Sequence, residues 1–452
     1  MQRARLLHWL ALLCATPGCA AFEPLRYDDD FSAQRQACLT GEPCLKAIPL
    51  TGTSLTLSLG GEGRWRYEST SNPDYGASPQ DRWGAFLQRY SLFADLSGDA
   101  GWRAFLQLSS AAQVGRAIGP SPVDANRLAL SNAFAEWQGR AGHGDALLTL
   151  RAGVQELRLG SGRLVDARDG PNVRRSFQGV RAIVARGPWT VSLFSAVPRL
   201  SLPGSFDDRP ASGQRLGGLY ATRQGSNAGI DAYALWFEDD RAIYLDRPGH
   251  ESRWSLGART YGTRDALDWN WEAVHQGGHW GPLQIRAWTL ATDTGYRFES
   301  HPWRPRLSLL VAAASGDRDP RDARLETFNP LFPRGNYFGE DATLGPRNFI
   351  NHQWQIEVEP RQDWTIGAAT SRFLRLATED GLYLPSGGLA RAPGDSTARG
   401  VADVHSFWAE WRFRPGWQVS GVLAYLRPGR FLHETGPAEP LSYVELTLRR
   451  QF

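Results

Sequence analysis

The chain ends in SYVELTLRRQF, residues 442–452. Val444, Leu446 and Leu448 alternate with Glu445, Thr447 and Arg449, and an aromatic residue, Phe452, comes last. A period of two puts successive side chains on opposite faces, so this is a strand with one apolar and one polar face. A strand in that position needs a hydrogen-bonding neighbour and a cover for its apolar face. Both needs are met if it pairs with the first strand of a closed sheet and turns its apolar face to lipid.

The same period runs through the chain. In SLTLSLGGEGRWRYE, residues 54–68, Leu55, Leu57, Leu59, Trp65 and Tyr67 share one face, while Glu62, Arg64, Arg66 and Glu68 share the other. FLQRYSLFADL, WRAFLQLSS, LLTLRAGVQ, WSLGARTY, LDWNWEAV, LQIRAWTLA and SFWAEWRFR repeat it. Turn and hairpin signals divide the chain into about eighteen strands. Their centres fall near residues 61, 90, 105, 134, 150, 181, 193, 219 and 233, then 256, 270, 288, 310, 354, 368, 408, 422 and 447.

Connections alternate in length. SGDA, RGP, GTRD, EPRQ and RPG are tight turns, whereas 69–84, 111–128, 156–176, 198–214, 239–251, 316–349, 375–403 and 428–441 are long and polar. Short turns on one side and long loops on the other predict an all-β, transmembrane antiparallel barrel over 54–452, with both ends in the periplasm. A soluble sandwich or propeller shares the alternation but gives no reason for loop lengths to alternate.

Composition fits this picture. The 452 residues are 42% hydrophobic and 21% charged, with mean hydropathy −0.40, and include 18 Trp, 20 Phe and 13 Tyr. Lys46 is the only lysine. A net charge of +3 without a basic tail gives no argument for a nucleic-acid partner. MQRAR, the apolar LLHWLALLCATPG and the small residues Gly18-Cys19-Ala20-Ala21 read as a signal peptide over 1–21; acylation of Cys19 is the alternative. A periplasmic segment, 22–53, follows. There Cys38 and Cys44 enclose the turn-like LTGEP, which in an exported chain predicts a disulfide.

Two long stretches resemble the alginate export family of outer-membrane barrels. They are RAGVQELRLGSGRLVDARDGPNVRRSFQGVRAIV, residues 151–184, and SGDRDPRDARLETFNPLFPRGNYFGEDATLGPRNFIN, residues 315–351. LSLGGEGRWRYE and FLQRYSLFADL resemble that family's first two strands, and Val154 stands where Arg is usual. The resemblance implies passage of a polyuronate through a positively lined pore. A terminal aromatic such as Phe452 also resembles what these barrels present to the insertion machinery.

Such a pore needs cations spread along the lumen, each binding weakly enough to release. Parity assigns Arg64, Arg66, Arg89, Arg103, Arg151, Arg181, Arg259, Arg286, Arg412 and Arg449 to the inner face. Glu62, Asp95, Glu136, Glu272, Glu410 and Glu445 join them as acidic partners. The loop at 156–176, with Gly160-Ser161-Gly162, Pro171-Asn172 and the cations Arg163, Arg174 and Arg175, is a candidate constriction or a wall-packing motif. The loop at 316–349 holds Phe328, Leu331, Phe332, Tyr337, Phe338 and Phe349, aromatic enough to pack on itself or fold over the mouth. Asp317, Asp319 and Asp322 are hard oxygen ligands in a run without a ligand loop of known spacing. His275 and His279 are four apart, a zinc spacing on a helix, but in the loop-like HQGGHW beside Gly277 and Gly278 they do not read as a metal site.

No nucleophile elbow, phosphate loop or HExxH motif occurs. The sequence thus predicts a monomeric, cofactor-free outer-membrane channel for an anionic polysaccharide, with lipid and a periplasmic export partner as its other contacts. A porin for small carboxylates is the first alternative, and an outer-membrane enzyme the second.

Overall fold

The computed structural model describes residues 22–29, 31, 45–142, 144–244, 247–335, 338–339 and 343–452. The expected signal peptide at 1–21, Cys38, Cys44 and Tyr337 lie outside them. Eighteen long antiparallel strands form one sheet. They are β1 Leu55–Ser71, β2 Ala85–Gly98, β3 Trp102–Val114, β4 Asn126–Arg140, β5 Leu147–Gln155 and β6 Phe177–Arg186. Then come β7 Trp189–Leu200, β8 Gln214–Gln224, β9 Ala228–Tyr244, β10 Arg247–Arg264, β11 Leu267–Trp280 and β12 Leu283–Arg297. The last six are β13 Arg306–Ala314, β14 Phe349–Arg361, β15 Trp364–Leu374, β16 Gly400–Arg414, β17 Trp417–Pro428 and β18 Leu441–Gln451. Every predicted strand centre falls inside one of them.

The sheet closes on itself. β1 pairs with β18 from Glu62↔Gln451 to Ser71↔Ser442. Below Glu62, β1 outruns its partner, and Ile48–Pro49 pairs there with Leu57 and Thr56. Phe452 seals the seam by exchanging backbone hydrogen bonds with Gly61, at 2.9 and 3.0 Å.

Alternation sets the two faces. Leu92, Leu106, Leu150, Val180, Leu193, Leu219, Leu423 and Leu446 point outward and are exposed. Trp102, Trp189, Trp271 and Trp411 stand outward toward one rim, and Trp236, Trp254 and Trp288 toward the other. An apolar band between two aromatic belts is the surface a bilayer requires of a barrel. Among the described residues no helix is long and apolar enough to cross a membrane; the strands do so. Mid-strand glycines make room for the tryptophans. Trp236 lies over its cross-strand partner Gly217 and Trp254 over Gly277, where a Cβ would come within 2.1 Å of the ring.

Loop lengths alternate less strictly than predicted. The expected loop at 239–251 is a hairpin in which β9 runs to Tyr244 and β10 starts at Arg247. β11 and β12 meet across residues 281–282 on the long-loop side, whereas 298–305 is a longer connection on the periplasmic side. Asp239, Asp240 and Arg241 read as a loop because strands projecting beyond the bilayer have water on both faces. For the same reason His275 and His279 belong to β11 and not to a loop. Both are exposed, and His275 sits against Trp254 at 5.4 Å between centroids.

Candidate functional site

β5 and β13 are the shortest barrel strands, nine residues each. Each stops early, and the loop that follows each turns inward. Gly160 and Gly162 adopt positive φ, +51° and +76°, in the first of these loops. The two loops meet inside the barrel: Phe332 accepts a hydrogen bond from Asp166 N at 2.9 Å and donates to Leu164 O at 2.8 Å, and Arg334 N donates to Gly162 O at 3.0 Å. The Phe332 ring stands edge-on to Phe177 and Phe237 at 5.3 and 5.5 Å, with the Arg175 guanidinium 5.2 Å from its centroid. Together the loops form a septum across the lumen.

The first loop is held by its main chain. Arg64, fully buried, donates to Asp169 O (2.8 Å), Gly170 O (3.0 Å), Pro171 O (2.8 Å) and Asn172 Oδ1 (3.2 Å). Arg66 adds Gly170 O at 2.9 Å, and Arg89 adds Asp169 O at 3.1 Å. Asn172 Nδ2 donates in turn to the carbonyls of Gln88, Ala112 and Asp124, between 2.9 and 3.1 Å.

One carboxylate gathers the cations. Asp169 Oδ1 lies 2.6 Å from Arg89 Nη2 and also pairs with Arg174, while its Oδ2 is 2.8 Å from Arg449 Nη2. Burial alone would raise this carboxyl, but Arg89, Arg449, Arg174 and Arg64 outweigh that and hold it well below the usual carboxylate range. Its side chain nonetheless stays 41% exposed, facing water in the lumen.

Ion pairs join the assigned acids to arginines. Glu62 binds Arg89 (2.6 Å), Asp95 binds Arg103 (2.8 Å), Glu136 binds Arg151 (2.5 Å) and Glu445 binds Arg66 (3.2 Å). Glu410 pairs with Arg412 at 2.5 Å toward the periplasmic rim. Glu272 accepts from Tyr233 Oη at 2.6 Å and faces Arg163 at 3.4 Å, which pins the first loop to β11. Arg259 pairs with Asp231 at 2.9 Å, and Arg181 donates to Ser192 Oγ at 2.8 Å. Arg174 also binds Glu156 at 2.7 Å, and Arg175 donates to Pro333 O at 3.4 Å.

Arg286 is the exception. It lies on the outer face with Trp288 and Leu290, because Ile285, Ala287 and Ala291 turn inward beneath the second loop. That loop covers the inner wall with Leu325 and Phe328, so β12 is apolar inside as well, and parity inverted the assignment. The three aspartates of this loop take separate roles. Asp317 is buried beside Asp380, to whose Oδ2 its backbone N donates at 2.9 Å, while Asp319 and Asp322 are exposed and cap turns at Arg321 and Arg324. Among the described residues no three metal-ligating side chains cluster.

Several participants escaped the sequence reading. Asp231, Asp268, Asp293, Arg297, Arg306 and Glu359 make inner ion pairs, and the same parity rule would have found them. Asp169 and Glu156 carry no such signal, since both sit in a loop.

A family model for alginate export matches residues 55–441. No curated protein sequence matches the chain. Among solved structures, OccAB1 of Acinetobacter baumannii superposes with a TM-score of 0.59 at 10% identity, covering 88% of this chain and 96% of that one. OpdK of Pseudomonas aeruginosa, solved with vanillate, gives 0.58 at 10% identity, covering 88% and 98%. OccD3 of the same organism gives 0.57 at 13%, covering 91% and 95%. At these identities the likeness is one of fold.

Proposed function

The chain belongs to the alginate export family and is a channel of the outer membrane; from that premise we propose that it exports an anionic polysaccharide of the polyuronate type. One observation supports this most directly. Arg89, Arg174 and Arg449 converge on the single lumen-facing carboxylate of Asp169. A uronate carries the same group on each sugar, and a guanidinium can offer it two parallel hydrogen bonds. Arg449 and Arg174 keep 23% and 14% of their side chains exposed, so a passing carboxylate can share them without dismantling the loop. Conduction needs this kind of divided hold, because a cation bound only to polymer would be a trap.

A second reading, uptake of small carboxylates, draws on the septum. Two loops crossing the lumen suit a narrow solute, and the OpdK barrel was solved with vanillate. Single-channel recording of the refolded barrel in a salt gradient, with oligomannuronate on one side, separates the readings. Export predicts anion selectivity and concentration-dependent block, weakened about tenfold when Arg174 and Arg449 are both changed to Glu, on the scale of one lost charge-assisted contact. Channels indifferent to the oligomer but permeable to small carboxylates would reject it in favour of the porin.

A further inference from the structure

The sequence assigns residues 22–53 to the periplasm, yet Leu25 and Tyr27 pack against the inner wall. Phe93 on β2, Phe105 on β3 and Phe134 on β4 face inward and stack in a row, with centroids 5.4 and 5.5 Å apart. Arg103 and Arg151 flank the row on the same faces, salt-bridged to Asp95 and Glu136. The Tyr27 ring lies edge-on to Phe105 and Phe134, at 5.9 and 5.2 Å. Arg151 sits 4.4 Å from the centroids of both Tyr27 and Phe134. Arg103 Nη2 donates to Tyr27 O at 2.5 Å, and the Tyr27 hydroxyl donates to Glu156 O. Arg174, one of the Asp169 cations, donates to Pro24 O at 2.8 Å. Phe31 stacks on Phe93 at 6.1 Å.

An inward row of stacked rings beside guanidiniums is more than a wall needs. Its apolar ring surface can bury the C–H groups of a sugar, and the flanking cations bind the sugar's carboxylate. The segment that covers the row has the matching chemistry. FEPLRYDDDF, residues 22–31, carries Glu23, Asp28, Asp29 and Asp30 against the single cation Arg26. Asp28 is exposed to the lumen. Enclosure raises its carboxyl, and the charges of Arg151, Arg181 and Arg103 pull against that.

We infer that Phe93, Phe105, Phe134, Arg103 and Arg151 form a subsite for an acidic saccharide on the periplasmic side of the septum, and that the segment 22–31 is its resident competitor. The inference rests on the polyuronate reading above and adds where the polymer first docks. Passage then begins with exchange: the incoming chain displaces Tyr27, and because Pro24 and Tyr27 also hold Arg174 and Glu156, their departure loosens the septum from below.

The test compares three refolded channels: the mature chain, its Tyr27→Ala variant, and a chain starting at Ser32, each checked for folding by heat-modifiable migration. Removing a resident competitor raises apparent affinity by the fraction of sites it held, so oligomannuronate should block the Tyr27→Ala channel at about tenfold lower concentration. Conductance should rise in both variants. The peptide FEPLRYDDDF, added to the periplasmic side of the shortened channel, should restore the lower conductance and raise the blocking concentration again. Block of the mature channel with no gain in either variant overturns this inference and leaves the export reading standing. Conductance that rises while oligomannuronate blocks none of the three overturns the subsite and the export reading together.

Discussion

The two loops of the septum leave strands of equal length and meet at Phe332, but they are held in opposite ways. The first, 156–176, is gripped by wall arginines that read its carbonyls. The second, 315–348, is laid on an apolar wall of Ile285, Ala287, Ala291, Ala312 and Ala314 through Leu325 and Phe328. Its polar fastening is a side chain, Asp380, whose buried carboxylate accepts from Asp317 N (2.9 Å), Thr327 Oγ1 (2.6 Å), Tyr383 Oη (2.6 Å) and Gly381 N (2.7 Å). In the first loop the wall arginines carry the specificity by reading carbonyls, and Asp169 and Arg174 keep part of their side chains open to the lumen. In the second, a carboxylate from the neighbouring 375–399 loop carries much of it, and the largely small and apolar wall adds Gln276 and Glu251, which bind Asn329.

The largest effect is expected of Arg64→Ala. It removes four hydrogen bonds, each worth about 1 kcal/mol: Asn172 Oδ1 loses its Arg64 donor, and Asp169 O, Gly170 O and Pro171 O keep only Arg89, Arg66 and Arg89 at 3.1, 2.9 and 3.4 Å. The β1 strand itself loses no ladder bond, so the barrel should still fold while the loop detaches. Conductance should rise several-fold, and backbone amides of 160–172 should exchange with solvent orders of magnitude faster, as a few kcal/mol of local stability is lost. Arg64→Lys should recover little, because a compact ammonium cannot span three carbonyls in one plane. Unchanged exchange in Arg64→Ala would show that Asn172 and the Asp169 ion pairs suffice, and the contrast between the loops would fall.

Asp380→Ala should do less to conduction and more at the surface. Four donors lose their acceptor, but the apolar contacts of Leu325 and Phe328 remain. The loops at 315–348 and 375–399 should become cleavable by trypsin near Arg318 and Arg321, with conductance changed less than twofold, as expected when local opening spares the deeper contacts. A conductance rise as large as that of Arg64→Ala would mean that the second loop carries the septum.

The same contrast explains what the sequence could and could not say. A strand in a bilayer has two different solvents on its faces, so alternation marked it: Val444, Leu446 and Leu448 oppose Glu445, Thr447 and Arg449 as predicted, and the seam with β1 follows. Where a loop replaces water on the inner face, that logic inverts, and Arg286 was placed on the wrong side. Parity did bring Arg64, Arg66, Arg89 and Arg449 to one patch of wall. It could not reveal that Arg64, Arg66 and Arg89 also bind carbonyls, since every residue has one and no side chain announces which will be used. The docking of Tyr27 was hidden for another reason: three phenylalanines on three strands become a row only once the register is set.

The smallest effect separates the loops by pH. Burial, with Asp380 close by, pushes the Asp317 carboxyl up from 3.8 to about 7. A carboxyl raised in the closed state holds a proton that it gives up on opening. Closure is therefore fully supported below about pH 4, weakens as pH rises toward 7, and changes no further once both states are ionised. Asp169 in the first loop is shifted the other way, so the first loop should feel no loosening across this range. Between pH 6 and pH 8 the open fraction of 315–326 should grow by at most about tenfold, since only about one pKa unit of the shift remains to be crossed. Tryptic cleavage near Arg318, taken as a ratio to the Asp317→Asn protein at each pH, removes the protease's own pH dependence and reads this directly. The ratio should climb from pH 6 to pH 8; a flat ratio would mean that Asp317 is already ionised in the closed junction, and that both loops are held by charge after all.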